Sequence, residues 1–130
     1  MKKLIIILMF GTFMVSCNET NYWIIIDNRS EENISNVVVW YDSKVLSSGP
    51  VSVSANSSST NAGSKPKLLD EMKITWEDSN KKPYEQVFKT FDFLPKDYNG
   101  GNVIFIYRGN GEMSLKFHMP KNDFPKLIDV

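Results

Sequence analysis

Met72-Lys73-Ile74-Thr75-Trp76-Glu77 decides the fold. Apolar and polar residues alternate here without a break, the pattern of a strand with one buried face. Met72, Ile74 and Trp76 are expected to point inward, and Lys73, Thr75 and Glu77 outward. Asp78-Ser79-Asn80-Lys81-Lys82-Pro83 then reads as a hairpin connection, and Tyr84 to Phe91 as the paired strand. Leu94 to Gly100 reads as a loop with room for one short helical turn.

Working outward, strand signals recur at the spacing of an all-β domain. Tyr22-Trp23-Ile24-Ile25-Ile26 is aromatic and β-branched, and Asp27 to Ser30 is a turn cluster. Ile34 to Tyr41 and Val103 to Tyr107 are apolar on both phases, which predicts central strands covered on two sides. Val51 to Ser54 alternates weakly, as an edge strand does. Asn56 to Ser64 has no apolar period and is expected to be a long surface loop. Asn110-Gly111 supplies two residues suited to positive φ, a hairpin signal. Met113, Leu115 and Phe117 alternate with Glu112, Ser114, Lys116 and His118. Pro120 and Pro125 end the sheet. The expectation is an all-β fold, a small antiparallel β-sandwich of six to seven strands over 22–130. A six-stranded barrel is the alternative.

The amino terminus carries a different grammar. Met1-Lys2-Lys3 precedes an apolar run from Leu4 to Val15, then Ser16 and Cys17. This is the charged, apolar and small-residue order of an export signal. The run is shorter than the roughly 20 residues a spanning helix takes. Met14-Val15-Ser16-Cys17 resembles the lipobox of bacterial lipoproteins, with Met14 where leucine is usual. The resemblance implies that residues 1–16 are removed and that Cys17 becomes a lipid-modified first residue, with 18–21 as a polar tether. A single acyl chain binds marginally and two or more hold stably, so a lipoprotein cysteine is a firm anchor. Asn18, in place of the aspartate of an inner-membrane retention signal, points to an outer membrane facing the periplasm.

Composition bounds the function. The chain has 15 basic and 15 acidic residues; without Lys2 and Lys3 the mature part has 13 against 15, a net of −2. A nucleic-acid partner wants a basic stripe, and none is present. One cysteine permits no internal disulfide. His118, the single histidine, lies on the outward phase of its strand. One histidine and one lipidated cysteine do not make a zinc site. Glu31-Glu32 and Glu77-Asp78 lack the spacing of calcium ligands and read as solvated carboxylates. Gly100-Gly101 and Gly109-Asn110-Gly111 precede strands and read as turn glycines, not as a phosphate cradle. Trp23, Trp40 and Trp76 are expected in the core, and Tyr84, Phe91 or Phe93, and Tyr98 are expected as exposed aromatics near turns. No catalytic constellation, metal or cofactor is expected, and the chain does not read as an enzyme.

The series from about residue 68 to 107, with Trp76, Pro83 to Phe88, Leu94-Pro95 and Val103 to Phe105, resembles immunity lipoproteins that guard against lipase effectors of type VI secretion. That resemblance implies a protein partner, a toxic enzyme. On this first reading the serine-rich loop or a sheet edge inserts near the enzyme's active site. A structural lipoprotein of a secretion or envelope complex is the second reading. A small-ligand or lipid-binding module is the third, and it requires a cavity of several hundred cubic ångströms.

Overall fold

The structure, a computed structural model, describes residues 19–41, 44–45, 50–62 and 64–119. Residues 1–16, expected to be a signal segment, Cys17, Asn18 and the proline-bearing tail from Pro120 lie outside the described residues. Eleven strands follow in order: β1 (Glu19–Asn21), β2 (Trp23–Asn28), β3 (Ile34–Tyr41), β4 (Lys44–Val45), β5 (Val51–Val53), β6 (Ser57–Asn61), β7 (Ser64–Pro66), β8 (Glu71–Glu77), β9 (Pro83–Lys89), β10 (Asn102–Tyr107) and β11 (Met113–His118). Among the described residues a 3-10 turn occupies Thr90–Asp92, earlier than the helical turn expected after Leu94.

The strands make an all-β sandwich. One sheet runs β11-β10-β2-β6; the other runs β4-β3-β8-β9, with β5 also paired to β3. β1 and β7 form a separate two-stranded ribbon. Alternation supplies the inner faces. Ile24 and Ile26 from β2 and Val103, Phe105 and Tyr107 from β10 meet Val37 and Val39 from β3 and Met72, Ile74 and Trp76 from β8. Trp76 stacks on Tyr84 at 5.4 Å and meets the Tyr107 ring edge-on at 6.0 Å. Lys73, Thr75 and Glu77 face out, as their phase predicts.

One pairing departs from the expected antiparallel order. β2 and β10 run parallel, with Ile24 beside Val103 and Ile26 beside Phe105. The reason is where the chain arrives. β9 ends at Lys89, and the Thr90–Asp92 turn leads on towards the start of β10; β2 starts at that same end. We call it the near end, and the opposite one, where β2 and β10 finish, the far end.

β3 carries the second departure. Asn36 adopts a positive φ of 49°, and the register against both β5 and β8 shifts around it. Asparagine tolerates this left-handed conformation. The resulting bulge lets Ile34, Val37 and Val39 all enter the core, although the first two are an odd number of positions apart. Val38 turns to the outer face. The apolar run on β3 thus reflects a broken phase.

The third departure is β6. Ser57–Asn61 pairs antiparallel with β2, from Asn28 opposite Ser57 to Ile24 opposite Asn61, where a loop was expected. An edge strand needs its backbone hydrogen bonds and little else, so serine and threonine serve there without an apolar period. The Asn110-Gly111 hairpin forms, but Tyr107 pairs Met113 across residues 108–112, and Gly109, Asn110 and Gly111 all have positive φ. A β-carbon on Gly111 would enter the Tyr84 ring.

The sheets are also fastened along one side. Gln86 faces inward on the edge strand β9, and its carboxamide binds Met113 of β11 twice. Nε2 donates to the Met113 carbonyl at 2.7 Å, and the Met113 amide donates to Oε1 at 3.0 Å. A side chain here takes the place of a strand neighbour.

Trp76 is 2% exposed. Its replacement by alanine is expected to cost about 3–5 kcal/mol through lost burial and a cavity. Urea melting checks this, and a loss below about 1 kcal/mol would contradict the packing described.

Candidate binding surface

The far end is a polar knot. Asn28 ends β2 facing inward and fully buried, so its amide must find partners. Nδ2 donates to the Glu32 carbonyl at 2.8 Å and to the Val53 carbonyl at 3.1 Å. Oδ1 accepts from the Ser30 amide at 3.0 Å and hydroxyl at 2.7 Å. The Glu32 carboxylate joins three loops. Oε2 accepts from the Tyr107 hydroxyl at 2.8 Å, and Oε1 accepts from the Ser79 hydroxyl at 3.0 Å and amide at 3.2 Å. The Gly111 amide donates to the same Tyr107 oxygen at 3.3 Å. Asp78 caps its own turn, accepting from the amides of Asn80 at 2.8 Å and Lys82 at 3.0 Å and from the Tyr84 hydroxyl at 3.2 Å.

These bonds shift the titrations. The hydrogen bond from Tyr107, followed by those from Ser79, holds the Glu32 carboxyl below the usual carboxylate range. Burial, then the bond to Glu32, pushes the Tyr107 phenol up to about 12. The backbone bond from Lys82 leads the lowering at Asp78. Glu32 and Asp78 are therefore engaged carboxylates, where Glu31-Glu32 and Glu77-Asp78 were expected to be merely solvated. Among the described residues no cluster of three or more histidine, cysteine, aspartate or glutamate side chains is placed to hold a metal.

The near end is aromatic. Tyr22 and Tyr98 meet edge-on at 5.8 Å, and Phe117 packs on Tyr98 at 6.2 Å. Tyr98 is 1% exposed, which corrects the expectation of a surface aromatic. Its oxygen accepts the Leu68 amide at 2.8 Å, and burial raises its pKa. Burial also raises Tyr22 strongly. Lys65, just after the segment expected to be a loop, is buried on β7. Its Nζ donates to the Tyr22 carbonyl at 3.2 Å and the Asn61 carbonyl at 3.4 Å, and lies 5.2 Å from the Tyr22 ring centre. Burial pushes its pKa down. Gly101 directly precedes β10 with φ +99°, and a β-carbon there would sit 2.7 Å from the Phe117 ring.

The outer face of the β3–β8–β9 sheet carries an open groove of about 630 Å³ lined by Trp40, Leu69, Lys73 and Val87, among others. Trp40 is fixed in orientation, since its Nε1 donates to the Thr75 hydroxyl at 2.9 Å. Lys73 lies 5.3 Å from the Trp40 ring and 3.7 Å from Glu85. Leu69 and Val87 are exposed beside them. By contrast, the void between the sheets near Ile24, Val39 and Ser59 measures about 20 Å³, room for one water.

Of the three tryptophans, Trp76 alone is core. Trp40 is half-buried in the groove, and Trp23 is 50% exposed, because it falls on the outward phase of β2. Tyr84 and Phe91 are partly buried against the core, and Phe93 is exposed. His118 is exposed at the end of β11. No described helix is long and apolar enough to cross a membrane. No known sequence family and no curated protein matches the chain. Among solved structures, the NMR structure of a protein from Eubacterium rectale is similar at 17% identity and TM-score 0.48, over 83% of this chain and 94% of that one.

The far-end knot has a pH signature. Glu32 ionises more readily folded than unfolded, so its contribution is present above the ordinary glutamate value of about 4.3 and is lost as pH falls through its lower folded value. Tyr107 has the opposite sign, contributing below about 10 and losing that contribution as pH rises towards about 12. Tyr107→Phe is expected to lower stability by about 1–2 kcal/mol at pH 7 and to flatten the loss of stability in acid. Urea melts at pH 7 and below pH 4 measure both, and an unchanged acid limb would contradict the coupling.

Proposed function

We propose that this chain is a lipid-anchored envelope lipoprotein whose sandwich binds another protein, in the manner of an immunity protein that captures a secreted toxic enzyme. The observation that carries the reading is the outer-face groove. It combines an oriented tryptophan, exposed aliphatic side chains and a charged rim of Lys73 and Glu85. Binding hot spots have this composition: an aromatic anchor, apolar neighbours and charges at the border. The groove is open along the sheet, so a protruding loop of a protein fits it better than an enveloped small ligand does. The Met14-Val15-Ser16-Cys17 sequence supports the envelope address, and Asn18 supports the outer membrane.

The serine-rich segment forms the edge strand β6 over Ser57–Asn61 and so offers a sheet edge where a loop was expected; the groove is the capture surface proposed here.

Full-length protein in mild detergent, crosslinked in its native envelope, tests the reading. The expected result is one stoichiometric protein partner whose enzymatic activity the chain inhibits. Trp40→Ala is expected to weaken that complex by about 2 kcal/mol, and Val87→Glu to abolish it. A complex unaffected by both substitutions, or none at all, would contradict the proposal.

A further inference from the structure

We infer that the near end of the sandwich rests directly on the membrane, with its exposed apolar side chains in the lipid interface. The inference builds on the lipoprotein reading and adds an orientation to it. Its first support is the length of the leash. Residues 18–21 were expected to be a polar tether, yet Glu19–Asn21 forms β1, paired with β7 from Glu19 opposite Pro66 to Asn21 opposite Ser64. Thr20 in this strand is buried. Only the step from Cys17 to Glu19 is left between the anchor and the fold. At about 3.3–3.6 Å per residue, that spans roughly 7 Å. A domain held so closely cannot stand clear of the headgroups.

The second support is where apolar surface is exposed. Six large apolar side chains are more than two-fifths exposed among the described residues, and four of them, Trp23, Val45, Phe93 and Met119, belong to the near end outside the groove. They come from four separate places in the chain: the start of β2, the β3–β4 hairpin, the segment after the 3-10 turn and the end of β11. The other two, Leu69 and Val87, lie in the outer-face groove. The far end presents the Glu32 and Asp78 knot instead. Tryptophan and methionine beside a lipid anchor add apolar burial at the interface, where an indole keeps its N–H in the polar layer. Charge does not drive the contact, because exposed Lys67, Lys89 and Lys96 are matched by exposed Asp70, Glu71, Asp92 and Asp97.

Single cysteines introduced at Phe93, Met119, Ser79 and Asn110 test this in the full chain, since acylation leaves Cys17 with no free thiol. Each variant carries a nitroxide label and is reconstituted in vesicles of phosphatidylethanolamine and phosphatidylglycerol. Labels at 93 and 119 are expected to be relaxed more by dissolved oxygen than by a water-soluble nickel chelate, with the reverse at 79 and 110. Half-molar salt is expected to leave the pattern unchanged. If vesicles carry the protein but all four labels respond as water-exposed, the orientation is wrong while the anchor stands. Labels at 93 and 119 shielded from both reagents, in protein that is dimeric in detergent, would assign the surface to a second copy and overturn the inference. If the protein does not float with vesicles and Cys17 itself takes the label, the lipoprotein reading fails, and the orientation with it.

Discussion

The fold depends on the contact between two alternating faces, with Trp76 at its centre between Tyr84 and Tyr107. A chain with one cysteine has no internal crosslink, so burial must hold the sheets together. Ile74, Phe105 and Tyr107 are fully excluded from water on opposing strands. Each such side chain contributes about 1.5–3 kcal/mol of transfer free energy before entropy is charged against it. The Gln86 clamp and the Asn28 network add little by comparison, but they fix which edges meet. They work only because the apolar faces bring them together.

The two ends of this sandwich differ in chemistry for a topological reason. The far end gathers the β2–β3, β8–β9 and β10–β11 connections, which are rich in acidic, amide and glycine residues. Those side chains satisfy loop backbone groups, and Glu32 and Asp78 do so as charged acceptors. The near end gathers β1, β7, the segment before β8 and the long passage from β9 to β10. That passage supplies Leu94 and Tyr98 to the core and leaves Phe93 outside. Exposed large apolar side chains at one end and a hydrogen-bonded carboxylate knot at the other give this small body a direction.

Much of the architecture was legible in the residues. β8 and β11 alternate cleanly, and their inward faces follow that phase. What was hidden lacks a local signal. Alternation says which face is buried, but not whether the neighbouring strand runs with or against it, so the parallel β2–β10 pair was out of reach. β6 was hidden because an edge strand of serines draws its stability from the β2 backbone. Trp23 was misplaced because an unbroken apolar run has no visible phase, and Trp23 falls on the outward phase of β2. Tyr98 and Lys65 sit in segments that look like solvent loops, and only tertiary packing buries them. The groove was illegible for the same reason, since Trp40, Leu69 and Val87 meet across β3, β8 and β9.

The functional account joins this body to one thiol. Acylation at Cys17 would set the near end against lipid and leave the outer sheet face and the polar end open to the compartment. The most direct measurement is the mass of the native amino-terminal peptide. A peptide beginning at Cys17 and carrying acyl chains is the predicted result. A peptide beginning at Met1, with an unmodified thiol at Cys17, would contradict it.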